Sequence, residues 1–93
     1  MLYEIVKTKR FKTAYKRIKN LPGFKRDVFS EVVLILASGG ILSEKYKDHK
    51  LTGNLKNFRE CHLAPDILLL YKIDDGFLLL TLVSIGNHAQ IFR

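Results

Sequence analysis

Hydrophobic residues recur along this chain with two different spacings, and the change from one to the other divides it. Leu2 to Val6 is a short apolar stretch that predicts a first strand. From Thr8 to Asn20 the apolar positions Phe11, Tyr15 and Ile18 recur at i, i+4 and i+7, with Ala14 beside them, which predicts an amphipathic helix with lysines on its outer face. Leu21-Pro22-Gly23 ends it, since proline cannot continue a helix and glycine permits the turn. Lys25 to Ala37 reads as a second helix, with one ridge of Val28, Val32 and Ile35 and another of Phe29, Val33 and Leu36. The wide stripe predicts the more buried of the two helices, and Gly39-Gly40 is its stop.

Beyond Gly40 the period falls to two. Ile41 to Asn54 is polar and reads as a long loop with a turn of helix. Leu55 to Leu63 alternates as a strand, with Lys56, Phe58, Glu60 and His62 on one face and Leu55, Asn57, Arg59, Cys61 and Leu63 on the other. Ala64-Pro65 interrupts it. Ile67 to Ile73, apolar except for Lys72, predicts a central strand, Asp74-Asp75-Gly76 a tight turn, and Phe77 to Ile85 the returning strand. Gly86-Asn87 makes another turn, and Ala89 to Phe92 is expected as a short last strand. The predicted order is β-α-α-β-β-β-β. This is an α+β fold whose antiparallel sheet is covered on one face by two N-terminal helices.

At 93 residues the chain has room for a single domain, 1–93, without an added regulatory one. Such a chain buries about 60–65% of its unfolded surface, so its core is modest. With 47% hydrophobic and 27% charged residues the composition is globular rather than disordered. The longest strictly apolar run, Val32 to Ala37, is far too short to span a bilayer, and no signal region follows Met1. Cys61 stands alone, which excludes an internal disulfide and fits a reducing, cytoplasmic setting. The absence of CxxC, GxxxxGK[ST] and GxGxxG patterns argues against nucleotide cofactors.

The formal net charge of +7 is lopsided. Residues 1–30 hold nine of the sixteen Lys/Arg and two of the nine acids, and the remainder is balanced. A one-sided positive field suggests a polyanionic partner, nucleic acid first among them. Its plainer alternative is a solvated helix face.

The candidate chemistry lies in the second half. His49 falls in the long loop, His62 at a strand end and His88 just after Gly86-Asn87, with Asp66 after the Pro65 break. Element edges are where a scaffold presents groups to a substrate, and imidazole moves protons near neutral pH. From spacing alone three readings stand: an acid–base cluster acting on a phosphodiester, a metal site of three His and one Asp, or three unrelated surface histidines. The spacings are long and give little support to a metal site.

A set of position-matched residues narrows this choice. Tyr46-Lys47-Asp48-His49-Lys50-Leu51, Gly53, Phe58-Arg59-Glu60-Cys61-His62-Leu63, Pro65-Asp66, Leu69-Leu70-Tyr71, Gly86-Asn87-His88 and Ile91-Phe92 together resemble the YafQ branch of the RelE/ParE-like bacterial type II toxins. The pattern covers the C-terminal half. The N-terminal half agrees in type, a short strand and two basic helices.

The resemblance implies a RelE-like fold and a ribosome-dependent endoribonuclease. Such an enzyme cuts messenger RNA in the A site of the 70S ribosome, halts translation, and needs no metal or organic cofactor. It implies a DinJ/RelB-like antitoxin as partner, operator DNA as a partner only through the toxin–antitoxin complex, and no membrane. It also implies a catalytic set of His49, His62, Asp66 and His88, with Phe92 beside the substrate. His49 or Asp66 would be the base that takes the 2′-OH proton and His88 the acid that protonates the leaving 5′-oxygen. His62 would steady the phosphate charge, and Phe92 would stack on a base.

Two departures bear on the site. Ile67 stands where the family often has an aromatic residue after the Asp, and Ser84 where it often has an arginine. Lys50, Lys56 or Arg59 would then supply phosphate-binding charge, with Lys56 on the His62 face by strand parity and Arg59 on the other. ParE-like relatives with this fold poison gyrase and lack the histidine set, so a non-catalytic binder is the rival expectation.

Overall fold

The computed structural model describes residues 2–92. It contains β1 (Glu4–Lys7), α1 (Lys9–Ile18), α2 (Arg26–Ala37), β2 (His49–Lys50), β3 (Arg59–Ala64), β4 (Ile67–Asp74), β5 (Leu79–Gly86) and α3 (His88–Ile91). Short 3-10 turns at Glu44–Tyr46 and Gly53–Leu55 flank β2. The sheet order is β1-β5-β4-β3-β2. All neighbours are antiparallel except β1 and β5, which run parallel, so the sheet is mixed rather than wholly antiparallel.

The helices form where the periodicity placed them. Thr8 caps α1 by accepting from the Phe11 N–H (3.0 Å), and its hydroxyl donates to the Val83 carbonyl (2.8 Å), which pins the helix start to β5. Phe11, Tyr15, Phe24 and Phe29 pack ring to ring, with centroids 5.3–6.0 Å apart, at the α1–α2 contact. α2 ends at Ala37; Gly39, just beyond its cap, has a φ of 79° that suits glycine, and Gly40 donates back to the Ile35 carbonyl (2.9 Å).

Both helices bury their apolar faces against one face of the sheet. Phe11, Ala14, Ile18, Val32, Val33 and Leu36 meet Cys61, Ile67, Leu69, Tyr71, Leu80, Leu82 and Ile85 in the main core. Burial there pushes the Cys61 thiol up to about 12, so it is a packing residue with no ready thiolate. On the opposite face, Leu68, Leu70 and Ile91 form a smaller core with Leu51, Phe58 and Val83.

Three further expectations need correction. Ala89 to Phe92 is not a strand: α3 forms there instead. Asn87 caps it, accepting from Gln90 N–H (2.8 Å), while the Gln90 side chain accepts from Asn87 N–H (2.9 Å). The strand expected from Leu55 begins only at Arg59, because Gly53–Leu55 forms a 3-10 turn. The long loop contributes the edge strand β2, too short to show a period. Among the described residues no helix is long and apolar enough to cross a membrane.

Candidate active site

Strand pairing builds the site on the face away from α1 and α2. β2 sets His49 opposite Glu60, and β3 sets Glu60 opposite Leu70 and His62 opposite Leu68. Two residues apart on one strand, Glu60 and His62 share a face. α3 brings in His88 from beyond β5.

The imidazoles converge on a single atom. Nε2 of His88, His49 and His62 lies 3.5, 3.7 and 3.9 Å from Glu60 Oε1. Neither Glu60 carboxylate oxygen has a hydrogen-bond partner, and the side chain is 1% exposed. The rings over it are more open: 24% for His62, 49% for His49 and 69% for His88. A buried carboxylate thus lies under a wall of imidazoles.

Each ring is positioned by its local structure. The Lys47 carbonyl can only accept, so at 2.8 Å it fixes the proton of His49 on Nδ1 and leaves Nε2 facing the site. Asp48 anchors the same segment: one carboxylate oxygen accepts from Arg59 (2.9 Å) and the other from the Tyr71 hydroxyl. His88 opens α3, and its ring lies 5.3 Å from that of Phe92. Gly86 makes this geometry possible. Its φ is 152°, and a Cβ there would stand 2.6 Å from the Gln90 Oε1 that completes the α3 cap. Arg10 reaches across from α1 to donate to the Ile91 carbonyl at the other end of α3.

Partial burial holds the His62 pKa below its ordinary value of 6.5; Glu60 opposes this, and the charges of Lys47, His49 and His88 add to it. Above 6.5 the ring is neutral whether the chain is folded or not. As pH falls through 6.5 the unfolded chain takes up a proton that the folded ring resists, so stability is lost down to the folded pKa. Thermal melts of wild type and His62→Gln from pH 8 to pH 5 should therefore coincide above about pH 7.5 and separate below 6.5, with wild type losing more. Parallel curves would remove this role.

The other expected site residues fall elsewhere. Asp66 is exposed in the β3–β4 turn, in a hollow shared with Asn87 and Gln90 rather than at Glu60. Lys50 pairs with Arg59, so both belong to the opposite face, and Lys56 precedes β3 and has no strand parity. All three line a cavity that also holds Asp48, Asp75 and Tyr71, and Arg59 is tied to Asp48. The structure does not bring these cations to the histidines. Ile67 is buried in the main core. Ser84 is buried beneath Lys9, Arg10 and Arg17 of the α1 side and Gln90.

Glu60 is the residue that sequence reasoning missed. Its shared parity with His62 was the available signal. Among the described residues no group of three or more His, Cys, Asp or Glu is arranged to hold a metal ion.

The sequence model of the family described as "Bacterial toxin of type II toxin-antitoxin system, YafQ" matches residues 3–93. The chain belongs to the YafQ toxin family. One relative, the mRNA interferase toxin YafQ of Escherichia coli K12, is 35% identical over 85 residues, 91% of this chain and 86% of that protein. The crystal structure of a metal-bound toxin from Helicobacter pylori superposes with a TM-score of 0.86 at 45% identity, covering 99% of this chain and all of that one. YafQ in the crystal structure of the E. coli DinJ–YafQ complex gives 0.84 at 27% identity over 98% of this chain and 99% of that one. The α+β fold of this YafQ-family chain is thus the RelE-like fold expected of it.

Proposed function

We propose that the protein is an mRNA endoribonuclease that cuts in the ribosomal A site by metal-independent acid–base catalysis and is restrained by a DinJ-like antitoxin. The convergence of three imidazoles on Glu60 Oε1 carries this reading. Three imidazoles gathered in one place offer both the proton acceptor and the proton donor that RNA transesterification requires.

His49, its proton fixed on Nδ1, takes the 2′-OH proton at Nε2. The 2′-oxygen bonds to phosphorus, the P–O5′ bond breaks, and His88 donates its proton to the leaving 5′-oxygen. The products are a 2′,3′-cyclic phosphate and a 5′-OH. His62, whose charged form is disfavoured, acts as a neutral imidazole rather than as a cation on the phosphate. Phe92, beside His88, offers a ring on which a base can stack, worth about 1–3 kcal/mol. The basic outer face of α1 lies on the far side of the sheet's helical layer, where phosphate contacts with ribosomal RNA would hold the site over the message.

The test maps RNA 5′ ends in a translating extract, with and without ribosomes. It includes a chelator that removes transition metals but leaves Mg²⁺ for the ribosome. In-frame cuts with 5′-OH ends that require ribosomes and survive the chelator are expected. Loss of cutting in the chelator, restored by added metal, would overturn metal independence. A folded protein that cuts nothing would overturn the nuclease reading, and DNA damage instead would point to gyrase.

A further inference from the structure

Beside the histidine cluster, around the edge of β3, runs a second hollow of about 630 Å³. β2 pairs only with Arg59 and Glu60, so the outer edge of β3 beyond them is open. Residues of the turn Glu44–Tyr46 and of the start of α2 line it, and so does His62. Its rim carries Lys25, Lys45 and Lys47, all exposed, and its floor is apolar, made by residues such as Val28, Leu63 and Pro65. Among the described residues no acidic side chain lines it. The cavity holding Lys50, Lys56 and Arg59 differs in this respect, since Asp48 and Asp75 line it too.

We propose that this groove is the track for single-stranded RNA, with Lys25, Lys45 and Lys47 holding successive phosphates and the apolar floor receiving bases next to the cut. This rests on the nuclease reading and extends it from the reacting groups to the strand that feeds them. Three observations favour RNA as occupant. The groove is continuous with the imidazole cluster through His62. Its three cations have no counter-charge within it. An apolar floor between cationic banks suits a strand whose bases are unpaired and whose phosphates point outward. The lysines are spread over two segments, 25 and 45–47, so no local basic run marked them in the sequence.

The probe is a short RNA bearing a 2′-deoxy sugar at the cut position, so that it binds but cannot be cleaved. Its affinity is measured against salt for wild type, for the triple Lys→Gln variant at 25, 45 and 47, and for the matching triple Lys→Arg variant. Single-stranded binding loses about 0.7 in log–log salt slope for each phosphate contact removed. The Gln variant should lose a slope of about 2, converge with wild type near 1 M salt and bind about 10²-fold more weakly at 0.1 M. The Arg variant should keep the wild-type slope. All three lysines are exposed, and melting curves verify that each variant folds. Equal slopes for the Gln variant and wild type, or no binding by wild type at low salt, would overturn the groove. If wild type binds with the expected lysine dependence but cuts no message on ribosomes, the groove stands and the nuclease reading falls.

Discussion

Replacing His88 with alanine is expected to slow message cleavage by about 10²–10⁴-fold, the range removed when a positioned acid or base is lost. The site geometry makes this the most damaging single exposed change. Nε2 of His88 lies nearest to Glu60 of the three rings, at 3.5 Å, and its side chain is 69% exposed and faces incoming substrate. Little of the fold rests on the ring. Asn87 and Gln90 cap α3, while Ile91 inserts into the smaller core, and both features survive the substitution. The melting temperature should stay within the shift that about 0.5 kcal/mol produces. Single-turnover cleavage on stalled translating ribosomes, read beside a thermal melt, tests both halves. A rate within threefold of wild type would remove His88 from the chemistry.

Glu60→Gln should lose activity and gain stability together. The carboxylate lies under the imidazoles with neither oxygen hydrogen-bonded. Burying a carboxylate that has no hydrogen bond is expensive. Removing the charge while keeping the shape should stabilise the fold by about 1–3 kcal/mol at pH 8. For a domain of this size each kcal/mol raises the melting temperature by about 4–8 °C. Without the carboxylate, the three rings lose the one atom on which they converge. Activity at pH 7.5 should fall by about 10²-fold. A glutamine variant less stable than wild type at pH 8 would show that Glu60 serves the fold, and unchanged cleavage would show that the site does not need its charge. Strain kept at a functional site and relieved by an inactivating change is the pattern expected here.

Much of this architecture was legible in the residue pattern, for reasons that also explain what was not. Both helices, β4 and the β4–β5 reversal announce themselves through runs long enough to show a period. The β3 face assignment held because Cys61 and Leu63 enter the main core while Glu60 and His62 face away from it. β2 was illegible: two residues have no period, and its existence depends on Glu60 and Arg59 lying opposite. The helical last turn was mistaken for a strand because its signal lies in the side chains of Asn87 and Gln90, three apart, and not in hydrophobic spacing. In the site, the three histidines could be picked out individually, but their convergence follows from pairing register and from α3, neither of which the sequence displays. Charge misled most. Lys50, Lys56 and Arg59 are near the histidines in sequence, yet strand parity and the 3-10 turn carry them to another cavity.

The parallel pairing of β1 with β5 has a consequence in time. Glu4–Lys7 bonds to Leu79–Leu82, Thr8 to Val83, Arg10 to Ile91 and Tyr3 to Asp75. The opening residues therefore have their partners some 70 to 80 positions downstream. At 5–20 residues per second the first strand waits roughly 4–15 s during synthesis before its neighbour exists. Contacts of such long range also form slowly once both ends are present. β5 and His88 follow the other strands and both other imidazoles along the chain, so the cluster cannot assemble until they too have been made.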